Sequence, residues 1–270
     1  MLQINKRIGT LVPLSALFSN DAKRGTFAAG VVFLDWLAKS KQTAWQLLPL
    51  HETQLQKGSK TIHVPSPYKG YGIGLDPKYL SSDDQDPTDN DINKFIRNNK
   101  YWIYNYSLFC ALRDYFGTDN WSSWPEEIRF REKKALKYWK EKLATEIDDH
   151  LGLQARLHFA YRNLRKNAKE NNILLIGDFP FYLGMNGPLV WEYQGLFDIE
   201  KNGSLRRVSG VLKGVKSHFG RQIWGHPLYK WQRQNLVLRI YKLFELRIRY
   251  LAGIYDYIRF DHTKGLFSYV

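Results

Sequence analysis

The sequence predicts an α/β fold built on a parallel β-sheet. Four short runs of apolar, β-branched and aromatic residues have strand character, and they read IGTLVPL, AWQLLPL, ILLIGDF and IYDYIRF from Ile8, Ala44, Ile173 and Ile254. Each run is continuous rather than alternating, a pattern typical of parallel strands that are covered on both faces. Helical patterns separate the runs, and strands that alternate with helices indicate βα units.

The helical patterns are placed as βα units require. FAAGVVFLDWLAKS precedes the second strand, and KWQRQNLVLRIYKLFELRIRYLAG precedes the fourth. Three segments precede the third strand: NKYWIYNYSLFCALRDYF, the basic EEIRFREKKALKYWKEKLATEI, and QARLHFAYRNLRKNAKEN. We therefore predict one unit over residues 1–270, with a helical insertion at about 60–150 and a loop-rich insertion at about 185–230. Loops that follow strand ends are where α/β proteins usually hold their ligand sites.

The composition predicts a globular protein without covalent cross-links. The 270 residues are 44% hydrophobic, which is enough for a substantial core. The start, MLQINKRIGTLVPL, has too short an apolar run for a signal peptide, and no stretch approaches a membrane span, so we predict a cytoplasmic location. The single cysteine, Cys110, excludes a disulfide within the chain, and the helical pattern YSLFCALRDYF predicts that its thiol is buried.

The charge is strongly basic, with 40 Lys and Arg against 26 Asp and Glu and a net charge of +14. It is densest in RFREKKALKYWKEK, residues 129–142, and such a density attracts nucleic acid. No zinc finger, RNP-like strand or helix-turn-helix pattern accompanies it. We therefore favour a solvated helical face with Leu136 and Trp139 on its buried side, and rank a nucleic-acid partner last.

Polar groups recur at the strand ends. Asp178 follows LLIG, and Arg259, Asp261 and His262 surround the end of the fourth strand. In a (β/α) barrel these ends converge on one face, so the carboxylates would meet there. An arginine beside an aspartate keeps the carboxylate ionised, and such a group in an aromatic cleft can attack a sugar carbon. The residues alone leave two roles open for Asp261, a nucleophile or a structural ion-pair partner.

Aromatic residues point toward a sugar ligand. The chain has 9 Trp, 17 Tyr and 15 Phe, and several lie in the insertions, namely Tyr68, Tyr71, Trp191, Tyr193 and Trp224. Flat rings suit the apolar faces of sugars, but rings also fill cores. For any single ring, core packing remains the favoured alternative.

Six segments in a fixed order carry a family resemblance. They read FLDWLAKSKQTAWQLLPL, SPYKGYGIGLDPKYL, WIYNYSLFCALRDYF with WSSWPEEIRFR, LLIGDFPFYLGMNGPLVW, RQIWGHPLYKW, and YIRFDHTKGLF. Along nearly its whole length the chain thus resembles the amylomaltases, or disproportionating enzymes, which are 4-α-glucanotransferases that act on maltodextrins. The resemblance implies a TIM-barrel (β/α)8 fold with inserted subdomains, of which about the first four βα units are present, with large insertions after strands 2 and 3.

The resemblance also implies catalytic roles. Asp261 matches the position of the family's catalytic nucleophile, and Arg259 matches the arginine that holds and polarises it. The family uses no metal and no organic cofactor for its chemistry, so none is expected here. The implied substrate is an α-1,4-glucan or maltooligosaccharide.

Four further positions are implied to bind substrate. Tyr68 and Trp224 resemble substrate-contacting residues, Asp178 is expected to line the site, and His262 to lie beside the nucleophile. One loop departs from the family pattern, because Leu212–Gly214 stand where Pro-Pro-Asp is usual. That loop flanks the substrate, so acceptor selection is expected to differ.

The resemblance also predicts what the 270 residues lack. The family's acid/base glutamate and its stabilising aspartate follow on later barrel strands, whereas a retaining mechanism needs two carboxyl groups. We therefore expect an amino-terminal half that is inactive alone, with a carboxyl-terminal half supplied by another chain as one possibility. Two alternatives stay open: a noncatalytic maltodextrin-binding remnant and a basic nucleic-acid-associated protein, which would show steeply salt-dependent binding.

Overall fold

A computed structural model describes residues 7–18, 25–82, 84–211, 220 and 222–266. Its strands are β1 Gly9–Leu11, β2 Ala44–Gln46, β3 Leu174–Phe179, β4 Val208–Val211, β5 Gln222–Pro227 and β6 Tyr257–Phe260. Its helices are α1 Phe27–Lys39, α2 Asp89–Asn99, α3 Ile103–Phe116, α4 Glu126–Arg129, α5 Lys133–Lys142, α6 Ala144–Glu170, α7 Pro188–Glu192 and α8 Gln234–Ala252. The divergent loop Leu212–Gly214 lies outside the described residues.

The central sheet is parallel and has the order β1-β2-β3-β6. This confirms the four strands predicted from the apolar runs. The strand register places Leu11, Gln46, Ile176 and Tyr257 side by side in one row across the sheet. A separate antiparallel hairpin, β4–β5, lies within the predicted loop-rich insertion.

The two faces of the sheet have different surroundings. On one face Trp45 meets Phe33 of α1 edge to face at 5.0 Å, and Phe179 stacks on Phe244 of α8 at 5.7 Å. On the opposite face Leu11 and Tyr257, which belong to the two edge strands, are 53% and 60% exposed. The expectation that all four strands are covered on both faces is therefore wrong for β1 and β6, each of which has a strand neighbour on one side only in the part of the chain that the structure describes.

Close packing ties the helices to the sheet. Gly30 of α1 leaves no room for a Cβ, which would lie 2.4 Å from the Leu164 side chain of α6. In β3, a Cβ on Gly177 would lie 2.0 Å from the Tyr255 ring. Glycine at these two positions lets α1 and the segment before β6 approach their neighbours. Because the Tyr255 ring lies on β3, the start of β6 is fixed beside β3.

The helical insertion differs in detail from its prediction. Helix α2 was missed, although Thr88 and Asp91 form a capping box at its start. The basic segment predicted as one helix is instead divided among α4, α5 and the start of α6, and Arg131 between α4 and α5 has a positive φ of 58°. A left-handed residue cannot continue a right-handed helix, so α4 ends before it.

The burial predictions in this region are confirmed. Cys110 is 1% exposed, and Trp139 is 8% exposed on the inner side of α5. Leu136 is partly buried against the same core. Within the described ranges, no helix is long and apolar enough to cross a membrane.

Candidate active site

Neighbouring strands bring the predicted carboxylates together. Asp178 of β3 pairs in register with Arg259 of β6, so their side chains leave the same face of the sheet. Asp261 lies two residues beyond Arg259, and its backbone N–H donates to the Phe179 carbonyl at 3.1 Å, which continues the ladder past β6. The side chains of Asp178, Arg259 and Asp261 therefore meet at the carboxyl ends of the strands.

Arg259 bridges the two carboxylates. Its Nη1 donates to Oδ1 of Asp178 and its Nη2 to Oδ1 of Asp261, each at 2.7 Å. Desolvation lowers the pKa of Arg259, but the charges of Asp178 and Asp261 outweigh it and leave that pKa raised. The side chain of Asp178 is fully buried, whereas that of Asp261 is 35% exposed. The arrangement anchors one carboxylate and presents the other to solvent.

Asp178 acts as the anchor because both of its oxygens are engaged. Tyr68 donates its hydroxyl to Oδ2 at 2.6 Å, and Arg259 occupies Oδ1. Burial raises the pKa of Asp178, and the Tyr68 hydrogen bond and the Arg259 charge oppose that rise. Burial and the same hydrogen bond raise the pKa of Tyr68, so its hydroxyl keeps its proton and remains a donor.

A buried histidine holds the loop that carries Tyr68. Nε2 of His51 lies 2.9 Å from the Pro67 carbonyl, so this nitrogen carries the proton and donates. Burial lowers the pKa of His51 to about 3, so the ring is neutral near pH 7. His51 was not among the predicted site residues, although its place directly after the second strand's LLPL run could have identified it.

A cavity of about 350 Å³ opens beside Asp261. It is lined by Ser66, Tyr68, Lys69, Pro180, Phe181, Tyr182, Ile223, Trp224, His226, Asp261 and His262. Asp261 is the only carboxylate in this lining, as far as the structure describes the chain. The remaining wall is largely aromatic, a surface that suits the flat apolar face of a sugar ring.

The aromatic wall is ordered around Tyr182. Its ring lies parallel to that of His226, with an interplanar angle of 6° and centroids 6.0 Å apart, and 5.8 Å from the ring of His262. Trp224 meets His262 edge to face at 4.8 Å. His262 has a positive φ of 55°, so the chain turns directly after Asp261 and carries the imidazole to this wall.

The β4–β5 hairpin supplies two of these rings. In β5 the Trp224 indole N–H donates to Oε1 of Gln222 at 3.0 Å, which fixes the ring. His226 receives support from Ser209 of β4, whose Oγ accepts the His226 backbone N–H. Burial lowers the pKa of His226 to about 4, so this histidine is neutral near pH 7 and is a poor proton donor there.

The structure brings all six predicted site residues together. Four line the cavity, namely Tyr68, Trp224, Asp261 and His262. Asp178 and Arg259 lie behind them and hold Asp261 in place, so the expectation that Asp178 lines the site is refined to an anchoring position. Tyr182 was missed, although it follows β3 by only three residues. The strand-end rule, by which loops after the carboxyl ends of parallel strands hold the ligand site, could have identified it.

The described residues contain no group of three or more His, Cys, Asp or Glu side chains that could hold a metal ion.

Comparison with solved structures defines the fold class. The structure superimposes on the amylomaltase from Streptococcus agalactiae in complex with acarbose with a TM-score of 0.81 over 96% of this chain and 60% of that one, at 24% identity. It also matches the amylomaltase from Corynebacterium glutamicum with a TM-score of 0.74, over 97% of this chain and 41% of that one, at 13% identity. The fold is thus the TIM-barrel type of the amylomaltases.

Sequence comparison then gives the family. The family model described as 4-alpha-glucanotransferase, glycoside hydrolase family 77, matches residues 12–84 and 77–270, and the chain belongs to this family. The 4-alpha-glucanotransferase of Aquifex aeolicus (strain VF5) is 26% identical over 271 residues, which cover 88% of this chain and 55% of that protein. The chain therefore spans about half the length of the curated relatives that it matches.

Proposed function

We propose that this chain carries the nucleophile-bearing part of a 4-alpha-glucanotransferase active site, which moves α-1,4-glucan segments between maltooligosaccharides with retention of configuration. Family membership supports the reaction class. The observation that carries the proposal is the position of Asp261, which Arg259 holds at 2.7 Å in the wall of an aromatic cavity.

The first chemical step uses groups that this chain supplies. An oxygen of the Asp261 carboxylate attacks the anomeric carbon of the donor, and the bond from that carbon to the leaving oxygen breaks. Arg259 donates to one oxygen of Asp261 and leaves the other oxygen free of that contact, so it can face the sugar. Trp224 and Tyr182 would pack on the sugar rings and exclude water, which favours transfer to an acceptor over hydrolysis.

The leaving oxygen needs a proton, and the acceptor hydroxyl must later lose one. Asp178 cannot serve, because it is buried and both of its oxygens are engaged by Tyr68 and Arg259. His226 is neutral and buried. We therefore place the acid/base carboxyl outside residues 1–270, about 5 Å from Asp261 as a retaining mechanism requires.

A carboxyl-terminal half would supply that group. We infer that residues 1–270 hold the first four βα units of an eight-unit barrel, and that the other four come from a further polypeptide segment, in another chain as one arrangement. The parallel order β1-β2-β3-β6 and the match to about half of the Aquifex protein support this inference. The cytoplasmic location stays a prediction.

The test uses an activated donor that needs no acid. A maltosyl fluoride has a leaving group that departs without protonation, so Asp261 can form its glycosyl ester even when the acid/base is missing. We expect incubation of the 270-residue chain with a deactivated α-maltosyl fluoride to add one glycosyl group on the peptide that contains Asp261, as read by mass spectrometry. Asp261→Asn should abolish this labelling.

A matched variant controls for the loss of a carboxylate. Asp35→Asn removes a solvent-exposed carboxylate from α1 and should label as the unmodified chain does. Labelling that survives Asp261→Asn, or that appears on another residue, would contradict the assignment. The complete reaction is then measured as maltotriose disproportionation by the chain, with and without a separately expressed carboxyl-terminal half of a related enzyme. Activity of the chain alone would refute the proposal that the acid/base carboxyl lies outside residues 1–270.

A second candidate function is maltodextrin binding without turnover. It is favoured by the cavity lining, in which the described residues place one carboxylate among many rings. It predicts that maltotriose binds, that Trp224→Ala weakens this binding about tenfold, and that the activated donor leaves no label. Nucleic-acid binding, the third hypothesis, retains only the net charge in its favour.

A further inference from the structure

A second cavity lies on the helix-covered side of the sheet. It has a volume of about 350 Å³ and is formed by α2, α6 and the end of α8. None of its lining residues belongs to the cavity beside Asp261, so it is a separate site. Its size falls within the range of small-molecule pockets.

The cavity carries an excess of positive charge. Four cationic side chains line it, namely Lys94, Arg162, Arg165 and Arg249, against one carboxylate, Asp91. That carboxylate is already engaged, because it accepts hydrogen bonds from Thr88 and forms an ion pair with Arg162 at 3.5 Å. Arg165 is directed at the Gly253 carbonyl and at Asp256.

Two cations remain for a ligand. Among the described residues, Lys94 and Arg249 have no ion-pair partner. The Arg249 guanidinium lies over the Tyr101 ring at 4.3 Å, which fixes its position without neutralising its charge. Both side chains belong to exposed residues at the rim, so a ligand can reach them from solvent.

The walls of the cavity are aromatic. Phe95 and Tyr250 line it together with the half-buried His158, whose ring lies 4.7 Å from that of Phe95. Nδ1 of His158 donates to the Gln154 carbonyl at 2.8 Å, so Nε2 accepts the Tyr250 hydroxyl at 3.2 Å. The cavity thus combines cations at its rim with rings on its walls.

Helix ends oppose anion binding, but this effect is partly offset here. Helices α2 and α8 both end at the cavity, and the carbonyls of a helix end disfavour negative charge. Arg165 donates to the Gly253 carbonyl at the end of α8, and the Trp102 backbone N–H donates to the Asn99 carbonyl at the end of α2. The unpaired full charges of Lys94 and Arg249 exceed the partial charges that remain.

We propose that this cavity binds a small phosphate ester that carries a ring, with the phosphate between Lys94 and Arg249 and the ring against Phe95 and Tyr250. Nucleoside phosphates and sugar phosphates share this chemistry. Arginine and lysine are the usual phosphate partners in proteins, and a ring on an aromatic wall adds orientation.

The test is calorimetric titration of the 270-residue chain with adenosine monophosphate and with glucose 6-phosphate. Adenosine, glucose and inorganic phosphate serve as probes that lack either the charge or the ring. We expect at least one of the two esters to bind at least tenfold more tightly than all three of these probes. Lys94→Gln and Arg249→Gln should each weaken that ester by about tenfold, the effect of one lost charge-assisted hydrogen bond.

A matched variant separates a site from general attraction to a basic protein. Arg239→Gln removes an exposed cation from the same helix, α8, outside the cavity, and should leave binding unchanged. Binding of only one ester supports the proposal and identifies the ring. Equal weakening in Arg239→Gln and Arg249→Gln, equal affinity for adenosine or glucose, or no binding of either ester would overturn it.

Discussion

The two faces of the central sheet are built from the same four strands but have opposite characters. On the helix-covered face Trp45, Leu175 and Phe179 are fully buried. On the other face Leu11 and Tyr257 are more than half exposed, and the face ends in the ion-paired cluster of Asp178, Arg259 and Asp261. One face stabilises the fold, and the other carries the candidate chemistry.

This difference shows what an apolar run does and does not predict. A continuous run predicts a strand with apolar side chains on both faces, but it does not tell which chain segment covers each face. The row of Leu11, Gln46, Ile176 and Tyr257 follows from strand register, which only the structure gives. Substitutions on the two faces should therefore differ strongly in cost.

The largest expected effect is on the covered face. Phe179→Ala removes a fully buried ring that stacks on Phe244 and Phe260 and lies under the Arg247 guanidinium at 4.1 Å. We expect the free energy of unfolding to fall by about 3–5 kcal/mol, as for large-to-small changes in cores. Urea denaturation followed by circular dichroism measures this loss. Phe179→Leu, which keeps most of the volume, should cost much less, and equal costs for the two variants would show that the ring is not packed as described.

An intermediate effect is expected when the pH is lowered. The free energy of unfolding should then fall because of a group on the helix-covered side of the sheet and rise because of a group on the other face. On the helix-covered side, burial lowers the pKa of His158 from 6.5 to about 4. Below about pH 6.5 the unfolded chain takes up a proton that folded His158 does not, so stability is lost as the pH falls toward about 4. Between about pH 7 and about pH 4.5 the unmodified chain should lose on the order of 2 kcal/mol more than His158→Gln.

Asp178, on the other face, should have the opposite effect on stability as the pH falls. Burial raises its pKa, so the folded state binds the proton more tightly than the unfolded state. Stability from this group is therefore gained as the pH falls through the raised value toward 3.8, and Asp178→Asn should remove that gain. Unfolding free energies of both variants at several pH values give the two slopes. Slopes that match the unmodified chain in both variants would contradict this assignment of the titrating groups.

The smallest effect is expected at the open face. Tyr257 is 60% exposed, so Tyr257→Ser should change the free energy of unfolding by no more than about 0.5 kcal/mol. The same denaturation experiment at two protein concentrations checks this. A concentration-dependent loss above about 1 kcal/mol would show instead that another molecule covers this face in solution.

Much of the fold could be predicted from the sequence, because local patterns determine it. The four strands, α1, α3 and α8 follow from apolar periodicity, and Cys110 and Trp139 are buried as their helical patterns predict. The break at Arg131 could not be predicted, since a positive φ in an arginine leaves no mark in the composition. Helix α2 could have been found from the Thr88 and Asp91 cap.

The candidate site was predictable to a smaller extent. The strand-end rule and the family resemblance gave Asp178, Arg259 and Asp261, but the sharing of one guanidinium between the two carboxylates depends on the register of β3 and β6. The contribution of His226 to the wall, beside Tyr182, depends on how the β4–β5 hairpin folds back, and the hydrophobic pattern carries no information about that. Their roles toward substrate stay predictions.

The shared guanidinium also sets a charge balance. With both carboxylates ionised, Asp178, Arg259 and Asp261 together carry one net negative charge, and in the proposed reaction this charge would stabilise the positive charge that develops on the anomeric carbon in the transition state. Once Asp261 becomes a glycosyl ester in the proposed reaction, the three groups sum to zero. The electrostatic attraction between the cluster and the sugar is thus strongest while the sugar is cationic, and it ends when the covalent bond forms. The cluster would therefore stabilise the transition state more than the glycosyl ester that follows it.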